Sequence, residues 1–395
     1  MEKMIYSING EVDQHICMKI NEDFAFPEKI KLTRAVLYTF QPKPRKQVWK
    51  DGTGKVQKTW TFTPWLRVYD EDGDCGEGPV TPAVWQTILP LMLKDPMPRT
   101  NLEWRKIFYW MERANYNFSV PMFQMEVILF DLISRKRGIP MYQLLGAEKN
   151  YADIYKGGGS VLRTDEELVE EILAIKEEGF DTTKIKISLG DMKNDLRRIE
   201  KIRLAVGPDM KLAVDSNQAY DAQTAMKFIR EAYQYDIAWY EEPIVHTESE
   251  EIAKFIRMMK EEDRYVPVDY GESARYALEY KAYMDAGVEY ITVMPSIYTM
   301  GEFLKITDMV RSRGCHVCSG QNDHPGALMG VMLKDGEKVE FHKPNTAYME
   351  QYYRLKPTRK GTRLYLPDEP GLPVQINFEK LEKDGCVSNI QYFYR

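Results

Sequence analysis

The chain has 395 residues, too many for one small core, so two domains or one barrel with additions are expected. Its composition is globular, 44% apolar and 29% charged, and a formal net charge of −6 with both signs intermixed gives no basic surface for nucleic acid. No apolar run approaches the roughly 18–20 residues that span a bilayer, and "MEKMIYSINGEV" lacks the apolar stretch of a signal peptide.

The first 150 residues predict an α+β domain. "KIKLTRAVLYTF" and "WTFTPWLRVYDEDGDCGEGPV" read as antiparallel strands, with "DEDGD" as a turn, and longer helical segments follow, among them "MFQMEVILFDLISRKRG". A basic loop, "QPKPRKQVWKDGTGKVQKT", joins the first strands and carries Lys43, Arg45, Lys46, Lys50, Lys55 and Lys58 beside Trp49 and Trp60. Two readings stand for it: a mobile cationic lid for a polar anionic substrate, or a solvated loop.

From residue 151 to 364 helices and strands alternate. "YKGGGSV" reads as a first strand or its exit, since its glycines lack the GxGxxG spacing of a dinucleotide fold. "TDEELVEEILAIKEEGF" opens with Thr164 and Glu167 at capping-box spacing and stops at Gly179. "TKIKIS", "KLAVDSN", "IAWYEEP", "VPVDYGE", "YITVMP" and "HVCSG" follow as strands, each separated by a helix. Such alternation implies parallel crossovers. The predicted fold class is α/β, a (β/α)7β TIM-type barrel, with the α+β cap of residues 1–150 completed by 365–395, where "LYLPDEPGLPVQIN" is again strand and turn.

In "TTKIKISLG" Lys184 and Lys186 point to one face of a strand and Ile185 and Ile187 to the other, which leaves two ammonium groups between apolar layers. The following strands end in carboxylates: Asp215 in "VDSN", Glu241 and Glu242 in "WYEEP", Glu272 in "DYGE". In a barrel the C-terminal ends of strands converge on one mouth. Carboxylates gathered there repel one another unless a cation neutralises them, and oxygen-only ligands suit Mg2+. The lysines face the same mouth, where a cation and a neighbouring lysine are expected to lower the pKa of Lys186 toward that of a general base. The contrasting readings are helix-capping acids and lysines in ion pairs.

In this arrangement the sequence resembles the enolase superfamily, within it the mandelate racemase/muconate lactonising enzyme group, over nearly all of the chain from about residue 29. "KIK" is similar to the group's K-x-K element, whose second lysine, here Lys186, is the usual acid/base; "VDSN", "YEEP" and "YGES" are similar to its ligand segments, implying Asp215, Glu241 and Glu272 as metal ligands. "ILFDLISRKRGIPMYQLLGA" resembles the helix leading into the barrel, and "LPDEPGLPV" the closing segment. "TAYMEQ" resembles the final barrel strand, making Glu350 the acid that binds the substrate carboxylate.

The departures bear on the reaction. The sixth-strand region, "TVMPSIY", has neither carboxylate nor lysine, and in "CSGQNDHPG" Gly320 falls near the expected histidine. His324, beside Asp323, either reaches the site from a shifted loop or is a surface histidine; Tyr298 is a substitute acid, and Asn217, Arg45, Lys46 and Tyr298 are candidate substrate contacts. His15, His246, His316 and His342 have no motif context. Cys17, Cys75, Cys315, Cys318 and Cys386 are an odd, sparse set that fits a reducing cytoplasm, and "CHVC" reads as two structural residues on a strand.

The resemblance implies Mg2+-dependent removal of the proton α to a carboxylate through an enediolate, as in dehydration of a sugar acid or related hydroxy acid. Racemisation, epimerisation and cycloisomerisation are the alternatives, and a barrel kept as a binding protein is the contrasting class. The expected partners are a small-molecule carboxylate and further copies of the chain, with no nucleic acid and no membrane.

Overall fold

The computed structural model describes residues 23–115, 119–187, 191–295, 300–320, 324–341 and 348–395. Strands are numbered in chain order. The cap is a four-stranded antiparallel sheet in the order β18-β1-β4-β5, formed by β1 (Leu32–Phe40), β4 (Trp65–Asp70), β5 (Cys75–Pro79) and the last strand, β18 (Val387–Tyr394). The "DEDGD" segment is the β4–β5 turn, closed by Asp70, whose Oδ1 accepts from the Asp72 and Asp74 amides at 3.0 and 2.9 Å. Alternation along β1 and β4 sends Ala35, Leu37, Leu66 and Val68 into a core shared with the helix Ser119–Arg137.

The basic segment between β1 and β4 is a hairpin, β2 (Lys43–Lys50) paired antiparallel with β3 (Val56–Trp60). Trp49 and Trp60 are its buried anchors, and Trp60 stacks on Tyr348 with centroids 6.1 Å apart.

The barrel strands are β6 (Tyr151–Gly158), β7 (Thr182–Lys186), β8 (Lys211–Asp215), β9 (Ile237–Glu241), β10 (Val268–Tyr270), β11 (Tyr290–Thr292), β12 (His316–Ser319) and β13 (Lys338–Phe341). Each pairs in parallel with the next, and β13 pairs with β6, so the eight-stranded cylinder is closed. One helix follows each of the first seven strands, which gives the (β/α)7β order. The first, Asp165–Glu177, begins with the capping box: Thr164 Oγ1 accepts from Glu167 N at 3.2 Å, and Glu167 Oε2 accepts from Thr164 N at 3.0 Å. After β13, β14 (Tyr353–Leu355) pairs with β17 (Gln375–Ile376), while β15 (Thr358–Lys360) and β16 (Arg363–Tyr365) extend the sheet from β6.

The last barrel strand is thus "KVEF", not "TAYMEQ". The latter leads into a 3-10 turn, Glu350–Tyr352, beyond the barrel, and its first two residues lie outside the described residues. Cys318 is buried on β12 and Cys315 half-buried just before it, in keeping with a structural role for "CHVC". No helix among the described residues is long and apolar enough to cross a membrane.

Candidate active site

Parallel pairing fixes the site before any side chain is placed. Lys186 on β7 lies opposite Asp215 on β8, Asp215 opposite Glu241 on β9, and Glu241 opposite Asp269 on β10. Residues in register on neighbouring strands point the same way, so these four form one ring inside the barrel near its C-terminal end. Glu272 follows β10 on the exit, exposed toward the mouth. One carboxylate oxygen from each of Asp215, Glu241 and Glu272 lies within 4.8 Å of the others.

The two lysines hold this acidic group together. Lys184, 1% exposed, donates to both oxygens of Glu241 at 2.6 and 2.7 Å and to Glu340 Oε2 at 3.2 Å, with Asp215 Oδ2 at 3.6 Å. Burial opposes its charge, but Glu241 and Glu340 outweigh burial and hold the ammonium well above the ordinary lysine range. Lys186 donates to Asp215 Oδ2. Its pKa is raised while no cation engages Asp215: burial favours the neutral amine, and the Asp215 carboxylate overcomes it, whereas the lowering expected from the sequence depends on that cation. Asp215 in turn is held below the usual carboxylate range, since the two ammoniums outweigh its burial.

Asp215 also accepts from the Asn217 amide at 2.8 Å, and Asn217 has a left-handed backbone, as do Gln218 and Glu242 at φ 65° and 39°. Such conformations cost of order 1–3 kcal/mol each and gather where a site over-determines them. Glu242 accepts from Gln218 Nε2 at 2.7 Å and from the Ser273 amide at 3.3 Å; burial, with Glu272 nearby, pushes its carboxyl up to about 7. Burial likewise pushes Asp269 up to about 7, although Lys184 and the Thr292 hydroxyl, which donates at 2.9 Å, oppose it.

Glu340 is the acid that the sequence reading missed. It stands on β13, in register with Tyr155 of β6, and its carboxylate fits because residue 157 is glycine: a Cβ there would come within 2.0 Å of Glu340 Oε1. "KVEF" could be read as a short strand after a helix and the Gly336 turn, but the face its acid takes is set by the pairing with β6 and not by the sequence. Glu350 sits instead on the 3-10 turn, with Lys356 at 3.0 Å, so a role at the end of the last strand does not fit it.

The hairpin reaches the mouth with its backbone. Gly52 N donates to Asn217 Oδ1 at 3.2 Å, and Lys50 N donates to Ser160 Oγ at 3.0 Å just after β6. Among its cations, Lys43 donates to Gly385 O at 2.9 Å, Lys46 is exposed, and Arg45 donates to Thr59 O at 3.0 Å with its guanidinium 5.7 Å from the Tyr348 ring. His324 opens the helix His324–Gly330 after β12, and nothing is described of its side chain; Tyr298, Asp323, His15 and His342 lie outside the described residues.

The donor set suits a hard divalent ion. Three carboxylates converge, all oxygen donors, and two ammonium groups already sit against them where positive charge is required. A second acidic group, Asp70, Asp72 and Asp74, is filled by Lys136 at 2.7, 2.8 and 3.1 Å.

Residues 167–381 match the family model described as enolase C-terminal domain-like. An arabinonate dehydratase of Saccharolobus solfataricus is 26% identical over 313 residues, which cover 76% of this chain and 82% of that protein. A D-galactarolactone cycloisomerase of Agrobacterium fabrum is 27% identical over 278 residues, 65% of this chain and 71% of that one. Among solved structures, an L-talarate/galactarate dehydratase from Salmonella typhimurium LT2, liganded with Mg and L-lyxarohydroxamate, aligns with a TM-score of 0.73 at 20% identity, covering 93% of this chain and 95% of that one. At that identity the likeness speaks for the fold.

Proposed function

From the premise that this chain belongs to the enolase superfamily, in the mandelate racemase/muconate lactonising enzyme group, we propose that it dehydrates a sugar acid or related hydroxy acid after removing the proton α to the carboxylate. The observation that carries this reading is the contact of Lys186 with Asp215 beside Glu241 and Glu272, a base next to a three-carboxylate ligand set.

Asp215, Glu241 and Glu272 would hold the divalent ion, Mg2+ by the chemistry of the donors. When bound, such an ion supplies positive charge for the forming enediolate and engages the carboxylate that otherwise keeps Lys186 protonated. Lys186 takes the α-proton on Nζ. Lys184, fixed between Glu241 and Glu340, supplies a second cation beside the substrate carboxylate, and Glu340 takes the position first assigned to Glu350. Loss of the β-hydroxyl needs a proton, for which His324 at the start of the helix after β12 is the candidate. The enol that results tautomerises to an α-keto acid.

Cycloisomerisation is the second reading, favoured by the relative of that activity and by its need for one base only. A panel of aldonic and aldaric acids together with their lactones, incubated with protein and Mg2+ and followed by NMR and mass, separates them: the free acids test dehydration and the lactones cycloisomerisation. Dehydration gives an α-keto acid lighter by one water, and cycloisomerisation an isomer of unchanged mass. Absence of stoichiometric divalent-ion binding in calorimetry would contradict both.

A further inference from the structure

The three carboxylates at the mouth stand on unequal footings. Asp215 and Glu241 end paired strands, and the chain stays paired beyond them: Gln218 N donates to Glu242 O at 2.7 Å and Tyr220 N to Pro243 O at 3.1 Å. Glu272 has left the sheet. β10 ends at Tyr270, and Gly271 turns the chain there with φ 138°, where a Cβ would lie 2.3 Å from Thr292 O. An oxygen of Glu272 nevertheless comes within 4.8 Å of the other two carboxylates, so the turn is held by more than strand pairing.

One amide, that of Gln218, spans the gap. Its Nε2 donates to Glu242 Oε2 and to Ser273 Oγ, both at 2.7 Å. Its Oε1 accepts from His246 N at 3.1 Å and lies 3.0 Å from His246 Nδ1. A backbone N–H only donates, so it fixes which end of the amide faces His246. With Nδ1 carrying its proton, both donors and both acceptor sites of the amide are used. Ser273 N closes the frame by donating to Glu242 Oε1 at 3.3 Å. Each corner adjoins a carboxylate of the ligand set: Glu242 follows Glu241, Ser273 follows Glu272, and Gln218 lies three residues beyond Asp215.

We propose that Gln218 is a positioning residue for the divalent-ion site: it ties the Ser273 turn, and with it Glu272, to the exits of β8 and β9, and so sets the spacing of the three carboxylates. The inference rests on the reading of Asp215, Glu241 and Glu272 as ligands. A neutral amide suits the task. Glu242 and Glu272 repel each other across the frame, and Gln218 bonds that corner without adding a carboxylate to the repulsion or a cation that would compete with the ion. The left-handed backbones of Gln218 and Glu242 are strain of the kind that such a frame over-determines. Groups that orient metal ligands in this way govern affinity without touching the ion.

The test is calorimetric titration of Mg2+ and, separately, of Ca2+ into the chelator-stripped full-length protein. Gln218→Met keeps the side-chain length and loses the amide; it is expected to weaken Mg2+ binding about 10- to 100-fold. Ca2+ binding falls by less, because Mg2+ demands near-octahedral ligands and Ca2+ accepts longer, more variable bonds. Ser273→Ala, a milder change at a half-buried turn, weakens Mg2+ about fivefold, the share of one hydrogen bond. Asp131→Ala, which removes a buried acceptor in the cap, lowers the melting temperature and leaves both affinities as they are. Mg2+ binding at wild-type strength in Gln218→Met and Ser273→Ala overturns the proposal and leaves the ligand set standing. So does a loss equal for the two ions and matched by Asp131→Ala, the mark of general loosening. A wild-type protein that binds neither ion overturns the ligand set, and the proposal with it.

Discussion

Burial and charge pull against each other at every ionisable group of the barrel mouth, and the balance sets how stability depends on pH. Glu242 moves from 4.5 to about 7 and Asp269 from 3.8 to about 7, both chiefly through burial. A carboxyl with a raised folded pKa binds more protons folded than unfolded between the two values, so stability falls as pH rises through that window and then levels off. The metal-free protein is therefore expected to melt at lower temperature at pH 8 than at pH 5, and Mg2+ to restore more of the loss at pH 8. Calorimetry with chelator and with Mg2+ checks this, and a melting temperature that rises with pH in chelator contradicts it. Lys184, Lys186, Asp215 and Glu241 were legible in the sequence because charge on the inward face of a barrel strand breaks the expected pattern, and Glu272 because it follows closely on a strand of the same series. Glu340 was not, because its inward position is set by the pairing of β13 with β6, a contact between distant parts of the chain. The direct contact of Lys186 with Asp215, which holds the lysine protonated until a cation engages that carboxylate, was also out of reach.

Among the elements, the barrel strands were readable as a series because each is flanked by an amphipathic helix and a turn, even where only three residues are paired, as in β10 and β11. The hairpin over the mouth was not. "KPRKQVWK" has no apolar alternation, and its strand state rests on distant partners, with Trp49 buried and Lys50 bonded in both directions to Ser160 at 3.0 Å. That contact gives a prediction for the lid. Ser160→Ala removes it, and a hydrogen bond worth about 1 kcal/mol corresponds to about a fivefold rise in KM. Divalent-ion affinity should stay as it is, because Ser160 touches none of the three carboxylates in the described contacts. An unchanged KM, measured on the substrate that the acid panel identifies, would show that the hairpin does not hold the substrate.

For the molecule as a whole, the choice between an open sheet and a closed barrel rested on the absence of a glycine-rich phosphate turn, and the β13–β6 pairing settles it for closure. The return of the C-terminal segment to the cap was legible as strand and turn, but its place between sheet edge and helix was not, since residues far apart in sequence make it. Asp131 is the clasp. It accepts from Leu372 N at 2.5 Å, Glu77 N at 2.8 Å and Arg135 Nε at 2.8 Å, tying the return segment, β5 and the long cap helix together. Asp131→Ala leaves buried donors without their acceptor and is expected to cost about 3 kcal/mol. The urea midpoint reads that loss, and a shift within error of zero would mean that the segment is held by its apolar contacts alone.

The central claim is that Lys186 removes an α-proton beside a divalent ion held by Asp215, Glu241 and Glu272. The most direct measurement is deuterium uptake from D2O, at the α-carbon of the recovered hydroxy acid or at the carbon next to the carbonyl of the keto acid formed, followed by proton NMR for the wild type, for Lys186→Ala and for the chelated wild type. The account predicts uptake by the wild type with Mg2+, lowered at least about a hundredfold by Lys186→Ala, the scale of a lost general base, and absent in chelator. Uptake that persists at the wild-type rate in Lys186→Ala, or without a divalent ion, would contradict it.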